Sequence, residues 1–158
     1  MQIRKAKRKD LSRIAEIYVF NNRLFYFPIF RDERFSFGQL QVVSTIRKIF
    51  SRRKTRKCLF VCEDTVIKGF LEQNGSEIRK CYVDPCFQDQ GVGGALLEFA
   101  IEKFGANRVW VLEKNERALA FYARFGFYPT GERQSEGSTG VFSIALERLP
   151  YKTTGNSR

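Results

Sequence analysis

Between Val83 and Leu97 the chain passes from a strand-like run to a helix-like one through three glycines, Gly91, Gly93 and Gly94. The start of a helix presents backbone N–H groups without partners and a partial positive charge, so a phosphate can sit there when no Cβ blocks its approach. The chemistry expected of this loop is the gripping of a phosphate or pyrophosphate by main-chain amides. Two familiar phosphate loops do not fit. A dinucleotide fingerprint requires a small residue where this chain has Leu96, and the Walker loop requires Gly-Lys followed by Ser or Thr, which is absent.

The chain contains no histidine, which removes every mechanism that needs an imidazole as base, orienter or metal ligand. Serine triads and most catalytic zinc sites go with it. Proton removal from a nucleophile then falls to a carboxylate or to water. Glu72 and Glu77 are the candidates, because they flank Asn74-Gly75, a dipeptide that favours a type I′ turn between two strands. In that turn Gln73 pairs with Ser76 and Glu72 lies opposite Glu77. Like charges so placed raise at least one pKa and titrate as a unit. The expectation is Glu77 as base, directly or through water, with Glu72 tuning it and Arg79 and Lys80 nearby as counter-charges. Cys58, Cys62, Cys81 and Cys86 show no paired metal-knuckle spacing, so buried free thiols and no metal are expected.

The elements that must position these groups follow from periodicity. Residues 2–6 read as a strand, and Lys9 to Phe20 as a helix with Leu11, Ile14, Ile17 and Tyr18 on one stripe. Pro28 predicts that the aromatic stretch Leu24 to Phe30 leaves the helical region and forms a loop. A second helix is expected over Phe37 to Phe50. Strand-like runs follow at 58–64, 66–73 and 76–83, and then the glycine loop leads into a helix ending near Gly105. Arg108 to Leu112 reads as a buried strand. Asn115 caps a helix to about Phe125, with Gly126 as its stop, and two strands near Phe127 to Arg133 and Gly140 to Glu147 complete the set.

With 158 residues, 43% of them apolar, the chain is sized for one globular domain. Residues 1–150 are expected to form it and 151–158 to be a polar C-terminal tail. The fold class expected is α/β (α+β), a mixed central sheet of about seven strands flanked by about four helices. No apolar run approaches the roughly 18 residues of a membrane helix, and the N-terminal residues are charged where a signal peptide is apolar, so a cytoplasmic protein with no membrane partner is expected. The net charge is lopsided: +12 over residues 1–57 against −1 over 58–158, with seven basic and no acidic residues between Arg47 and Lys57. A solvated face accounts for such a run; a nucleic-acid or other anionic partner is the alternative.

The glycine loop also meets the pattern Gln/Arg-x-x-Gly-x-Gly/Ala through Gln88, Gly91 and Gly93. Further on, Asn115, Ala118, Phe121, Tyr122, Gly126 and Phe127 meet N-x-x-A-x-x-F-Y-x-x-x-G-F at every specified position. Together these resemble the GNAT superfamily of N-acetyltransferases over roughly residues 2–148. The resemblance implies strands splayed at a site for acetyl-CoA as co-substrate, with backbone groups near Tyr82 and Val83 on the pantetheine. It places the amides of Gln88, Asp89, Gln90, Gly91, Val92, Gly93 and Gly94 on the pyrophosphate, and Asn115 and Ala118 beside the cofactor.

The same resemblance makes Tyr122 the general acid for the departing thiolate. It also puts Glu77, six residues before Val83, where some protein-acetylating members carry a base, and it places Phe25, Tyr26, Phe30 and Phe35 at the acceptor pocket with Asp32 and Glu33 as a cation-binding edge. The implied activity is acetyl transfer to a primary amine in a ternary complex, with the acceptor unidentified and a homodimer left open. The competing reading is a non-catalytic acyl-CoA-binding or nucleic-acid-binding module using segment 47–57.

Overall fold

The computed structural model describes residues 1–149; the tail expected over 151–158 lies outside them. Seven strands form one sheet in the order β1-β2-β3-β4-β5-β7-β6. They are β1 (Gln2–Lys5), β2 (Leu59–Glu63), β3 (Ile67–Asn74), β4 (Glu77–Val83), β5 (Arg108–Leu112), β6 (Phe127–Ser135) and β7 (Phe142–Arg148). All neighbours are antiparallel except β4 and β5. Six α-helical segments flank the sheet among the described residues: α1 (Leu11–Asn21), α2 (Phe27–Phe30), α3 (Val42–Thr45), α4 (Arg53–Arg56), α5 (Val92–Phe104) and α6 (Glu116–Arg124). The expected α/β class and strand count hold, while the helical stretch before β2 is more broken than expected. None of these helices is long and apolar enough to cross a membrane.

Strand alternation divides the core between the two faces of the sheet. On one face Phe60, Leu71, Ile78 and Val109 pack under α5 and α6 with Leu96, Leu97 and Tyr122. On the other, Leu59, Val61 and Phe70 pack against Ile14, Ile17 and Phe50. Phe50 and Phe70 are fully buried with ring centroids 5.6 Å apart, and truncating either to Ala would destabilise the fold by roughly 3–5 kcal/mol.

The helical half departs from its sequence expectation in an instructive way. The stretch Leu24 to Phe30 is not a loop: Asn22–Tyr26 is a π-helical turn that runs into α2. Pro28 is the second residue of α2, directly after the π turn, and the chain stays helical across it. The helix expected over 37–50 is split into a π-helical turn at Arg34–Gln39, then α3, then a second π-helical turn at Ile46–Phe50. Each π turn carries one residue more than an α turn, which rotates the side chains that follow. The cysteines also differ from expectation, since Cys62 is buried but Cys58 and Cys81 are half-buried and Cys86 is exposed.

Candidate active site

Strands β4 and β5 are paired only at Glu77–Arg108 and Ile78–Val109. Beyond that point the two parallel strands separate, leaving the β5-facing edge of Arg79 to Val83 without a strand partner. A cavity of about 520 Å³ opens in the gap, lined among others by Cys81, Tyr82, Val83, Trp110, Val111 and Tyr122. It is continuous with Gln88, Asp89, Gly91, Gly93 and Gly94 of the glycine loop, and Asn115 and Ala118 of α6 complete the wall. Its size is that of a small-molecule site.

The loop after β4 is built for backbone display. Asp84 is buried; its Oδ1 accepts from the Cys86 N–H at 2.8 Å, and its Oδ2 lies 2.8 Å from Arg13 Nη2 of α1. Gly91 then takes φ of +82° as the N-cap of α5, a conformation costly for residues with a Cβ, and brings no side chain to cap the helix. The first amides of α5, at Val92, Gly93 and Gly94, therefore have no side-chain capping acceptor, the arrangement in which a helix start can hold an anion. Asp89 also has positive φ and is displayed outward, 89% exposed and 3.3 Å from Arg117.

Gly93 does a second job besides the one its motif suggests. A Cβ there would lie 3.3 Å from the Phe121 ring and 3.5 Å from Val83, so its smallness lets α6 close on the first turn of α5. Gly93 also lines the cavity, so this packing role comes in addition to the clearance expected of it. Gln90 and Val92 do not line the cavity, and Val92 is buried against the core.

Tyr122 is 6% exposed, packed edge-on against Phe121 and Phe127. Its hydroxyl makes no hydrogen bond within the described residues although it borders the cavity, whereas buried tyrosines ordinarily find a partner. Burial, with smaller contributions from Cys81 and Tyr26, pushes its pKa well above the ordinary phenol value. Asn115 caps α6 through Oδ1, which accepts from the Ala118 N–H at 3.2 Å; losing such a cap costs about 1 kcal/mol. The Cys81 thiol is pushed up to about 12, chiefly by burial, so it stays protonated and is a poor nucleophile.

The carboxylates do not arrange as the turn dipeptide suggests. The hairpin turns on Gly75 and Ser76, with Asn74 opposite Glu77 and positive φ at Gly75, the first central position, as in a type II′ turn. A bulge after Glu72 then puts Glu72 opposite Lys80, whose Nζ donates to Glu72 Oε2 at 2.6 Å. Glu72 and Glu77 are thus not a like-charge pair, and neither lines the cavity. Among the cavity-lining residues the sole carboxyl belongs to Asp89.

On the acceptor side, Phe25 and Tyr26 line the cavity and Phe30 does not; α2 carries Phe30 past the opening. Phe35 is exposed on the neighbouring π turn, where Asp32 Oδ1 accepts from its N–H at 2.8 Å. Tyr26 Oη lies 3.0 Å from Tyr82 Oη. The sequence reading missed Asn21, whose Nδ2 donates to the Val83 carbonyl at 2.9 Å while Gln88 Nε2 donates to the same oxygen at 3.2 Å. Two donors occupy that carbonyl, so the expected ligand contact at Val83 does not use it. The only signal for Asn21 was a polar amide ending an apolar helical stripe.

Residues 55–129 match the family model described as an acetyltransferase (GNAT) domain. The chain is 33% identical over 66 residues to the peptidyl-lysine N-acetyltransferase YjaB of Escherichia coli, covering 42% of this chain and 45% of that protein. It is 38% identical over 71 residues to an uncharacterized N-acetyltransferase of Methanocaldococcus jannaschii, covering 42% and 31%. These matches span less than half the length of either relative. In structure the chain resembles apo YjaB with a TM-score of 0.71 at 21% identity, over 94% of this chain and 97% of that one. It also resembles the paiA N-acetyltransferase of Thermoplasma acidophilum solved in complex with coenzyme A, with a TM-score of 0.64 at 21% identity, over 92% and 98%. Residues 55–129 are thus similar to GNAT acetyltransferase domains, and the seven-stranded sheet with its separated β4 and β5 has the fold of the N-acetyltransferase structures it resembles.

Proposed function

We propose that the protein is an acetyl-CoA-dependent N-acetyltransferase that moves the acetyl group directly to a primary amine in a ternary complex, with Tyr122 as general acid and water as the proton acceptor. The observation that carries this reading is the continuity of one cavity from the uncapped amides of α5, along the unpaired edge of β4, to the free hydroxyl of Tyr122. Bound there, acetyl-CoA would supply a thioester whose carbonyl carbon accepts the amine lone pair as the carbon–sulfur bond breaks.

The residues present fit that group. The unpaired edge of Arg79 to Val83 offers backbone donors and acceptors to a pantetheine arm as an added strand would, and the amides at Val92 to Gly94 suit a diphosphate. Asn115 and Ala118 form the wall beside them. Tyr122 stays protonated across the physiological range, and it donates its proton toward the leaving sulfur. A thiolate in the same desolvated cavity also has a raised pKa, which keeps the transfer from being strongly uphill.

The amine must be neutral to attack. Asp89 is solvent-exposed on the loop and paired with Arg117, so deprotonation falls to water, helped by the charge of Arg79 in the cavity wall, which lowers the pKa of a nearby ammonium. Direct transfer is favoured over an acyl-enzyme because the cavity's thiol, Cys81, is held neutral and no imidazole exists to activate it.

The test is a thiol-release assay with acetyl-CoA against a panel of small amines and lysine peptides, run on wild type and Tyr122→Phe. The expected result is turnover that rises with pH as the amine deprotonates, with no alkaline decline below about pH 10. Tyr122→Phe should lower kcat by about 100-fold while leaving coenzyme A affinity within about twofold. Coenzyme A binding that is absent by calorimetry would overturn the reading, as would full activity in Tyr122→Phe.

A further inference from the structure

The basic segment stands apart from the cavity: no residue between Arg47 and Lys57 lines it. Its position in the fold is fixed by β2, which begins two residues later and pairs Leu59 with Glu72, while the glycine loop leaves the sheet at Val83, opposite Gly69. The cations therefore lie toward the other end of these strands from the diphosphate loop, and coenzyme A does not account for them.

Folding also enlarges the patch beyond what the sequence shows. Lys5 donates its ammonium to the Lys57 carbonyl, and the Ala6 N–H donates to the Leu59 carbonyl at 3.0 Å. This joins the segment that carries the exposed Lys5, Lys7 and Arg8, at Lys5, to the end of the segment that carries the exposed Arg52, Arg53, Lys54 and Lys57. Among the described residues none of these cations is in an ion pair, although Arg4 is bound to Asp10 and Glu63. Like charges gathered without counter-charges of their own favour a polyanionic partner.

What the patch lacks narrows that partner. None of the exposed large apolar side chains falls between residues 5 and 9 or 47 and 57. A protein interface draws on a desolvated aromatic or aliphatic centre, a membrane surface site inserts apolar side chains, and a single-stranded nucleic-acid site stacks bases on aromatic rings. A duplex needs none of these, because its phosphate backbone is held by charge alone.

We infer that the surface formed by residues 5–8 and 52–57 binds the phosphate backbone of double-stranded nucleic acid without sequence preference, separately from acetyl transfer. Duplex RNA and duplex DNA offer the same phosphate chemistry, and the experiment distinguishes them. Fluorescence anisotropy of the full chain with a labelled mixed-sequence duplex of each kind, titrated in salt from about 50 to 200 mM, should show log affinity falling linearly with log salt. The triple variant Arg52→Gln/Arg53→Gln/Lys54→Gln should weaken binding at low salt by at least about tenfold and make the slope shallower by up to about three. The pair Lys7→Gln/Arg8→Gln, on the other chain segment, should do the same to a smaller degree.

Both variants should keep wild-type melting curves and coenzyme A affinity, which separates failure of this inference from failure of the transferase reading. Binding to one duplex only supports the inference and names the source. The inference is overturned by absence of duplex binding at the lowest salt, by slopes unchanged in both variants, or by tighter binding to the single strand or to phosphatidylserine vesicles.

Discussion

The helical stretch from Leu11 to Arg56 and the strand-and-helix stretch from Leu59 to Arg124 meet at one cavity but are built by different means. The second is regular: β4 and β5 diverge after two pairs, α5 begins on a left-handed glycine, and the groups at the diphosphate site proposed above are main-chain amides. The first is irregular, with three π-helical turns, two four-residue helices between them and exposed Phe20, Leu24, Phe35 and Phe37. It contributes side chains to the cavity, Asn21, Phe25 and Tyr26. Backbone recognition tolerates few sequences, because it depends on where a Cβ is absent. Side-chain recognition can be rewritten by any turn that rotates a residue, and the acceptor wall is written that way.

The contrast can be tested from each side. Gly93→Val, on the backbone-built side, should have the largest effect: with Phe121 already 3.3 Å from the position of a Cβ, α6 must shift. Coenzyme A affinity by calorimetry should fall by about 100-fold or more, with about 1–3 kcal/mol lost from stability through overpacking. Affinity held within about fivefold in a folded variant would mean that the α5–α6 contact is not what shapes the site.

Phe25→Ala, on the side-chain-built side, should be milder and confined to the acceptor. The KM of the best amine in the panel should rise by about tenfold, with the KM for acetyl-CoA unchanged. A parallel rise in both would erase the division between the halves.

The smallest effect concerns how the helical half is held to the sheet edge. Desolvation alone would raise the Asp10 carboxyl, but hydrogen bonds from Arg4, at 2.7 Å, and from the Lys7 N–H outweigh it and hold the pKa below the usual value. A depressed folded-state pKa adds stability above the unfolded value, about 3.9, and that stability is lost as pH falls through the lower folded one. Melting temperature should therefore drop by about 3 °C more in wild type than in Asp10→Asn on acidification below about pH 4. Equal drops would place the acid-sensitive contact elsewhere.

Legibility follows the same division. Strand β5 and the Asn115 cap are local matters, fixed by alternation and a capping amide within a few residues, and the sequence alone specified them, whereas α5 begins at Val92, with Gly93 and Gly94 inside the helix rather than in the loop before it. The motif residues Gln88, Gly91, Gly93, Asn115 and Tyr122, which line one cavity, were readable through their spacing. Glu72 and Glu77 were misplaced because the turn falls on Gly75-Ser76, one residue later than the dipeptide suggests, and a bulge shifts the register once more; register decides which side chains face each other. The π turns escaped notice because the one-residue phase shift each makes is lost among the closely spaced aromatic and basic residues of this stretch.

By itself, then, the sequence determined the strand set, the glycine loop ahead of α5 and the motifs that resemble the GNAT superfamily, each resting on near neighbours in the chain. Tertiary structure alone decided that β4 and β5 part after Ile78, that Asn21 reaches the Val83 carbonyl, and that Lys5 comes to rest beside Lys57. Those outcomes join residues dozens of positions apart, and their energies depend on the packing of the whole sheet rather than on any local preference.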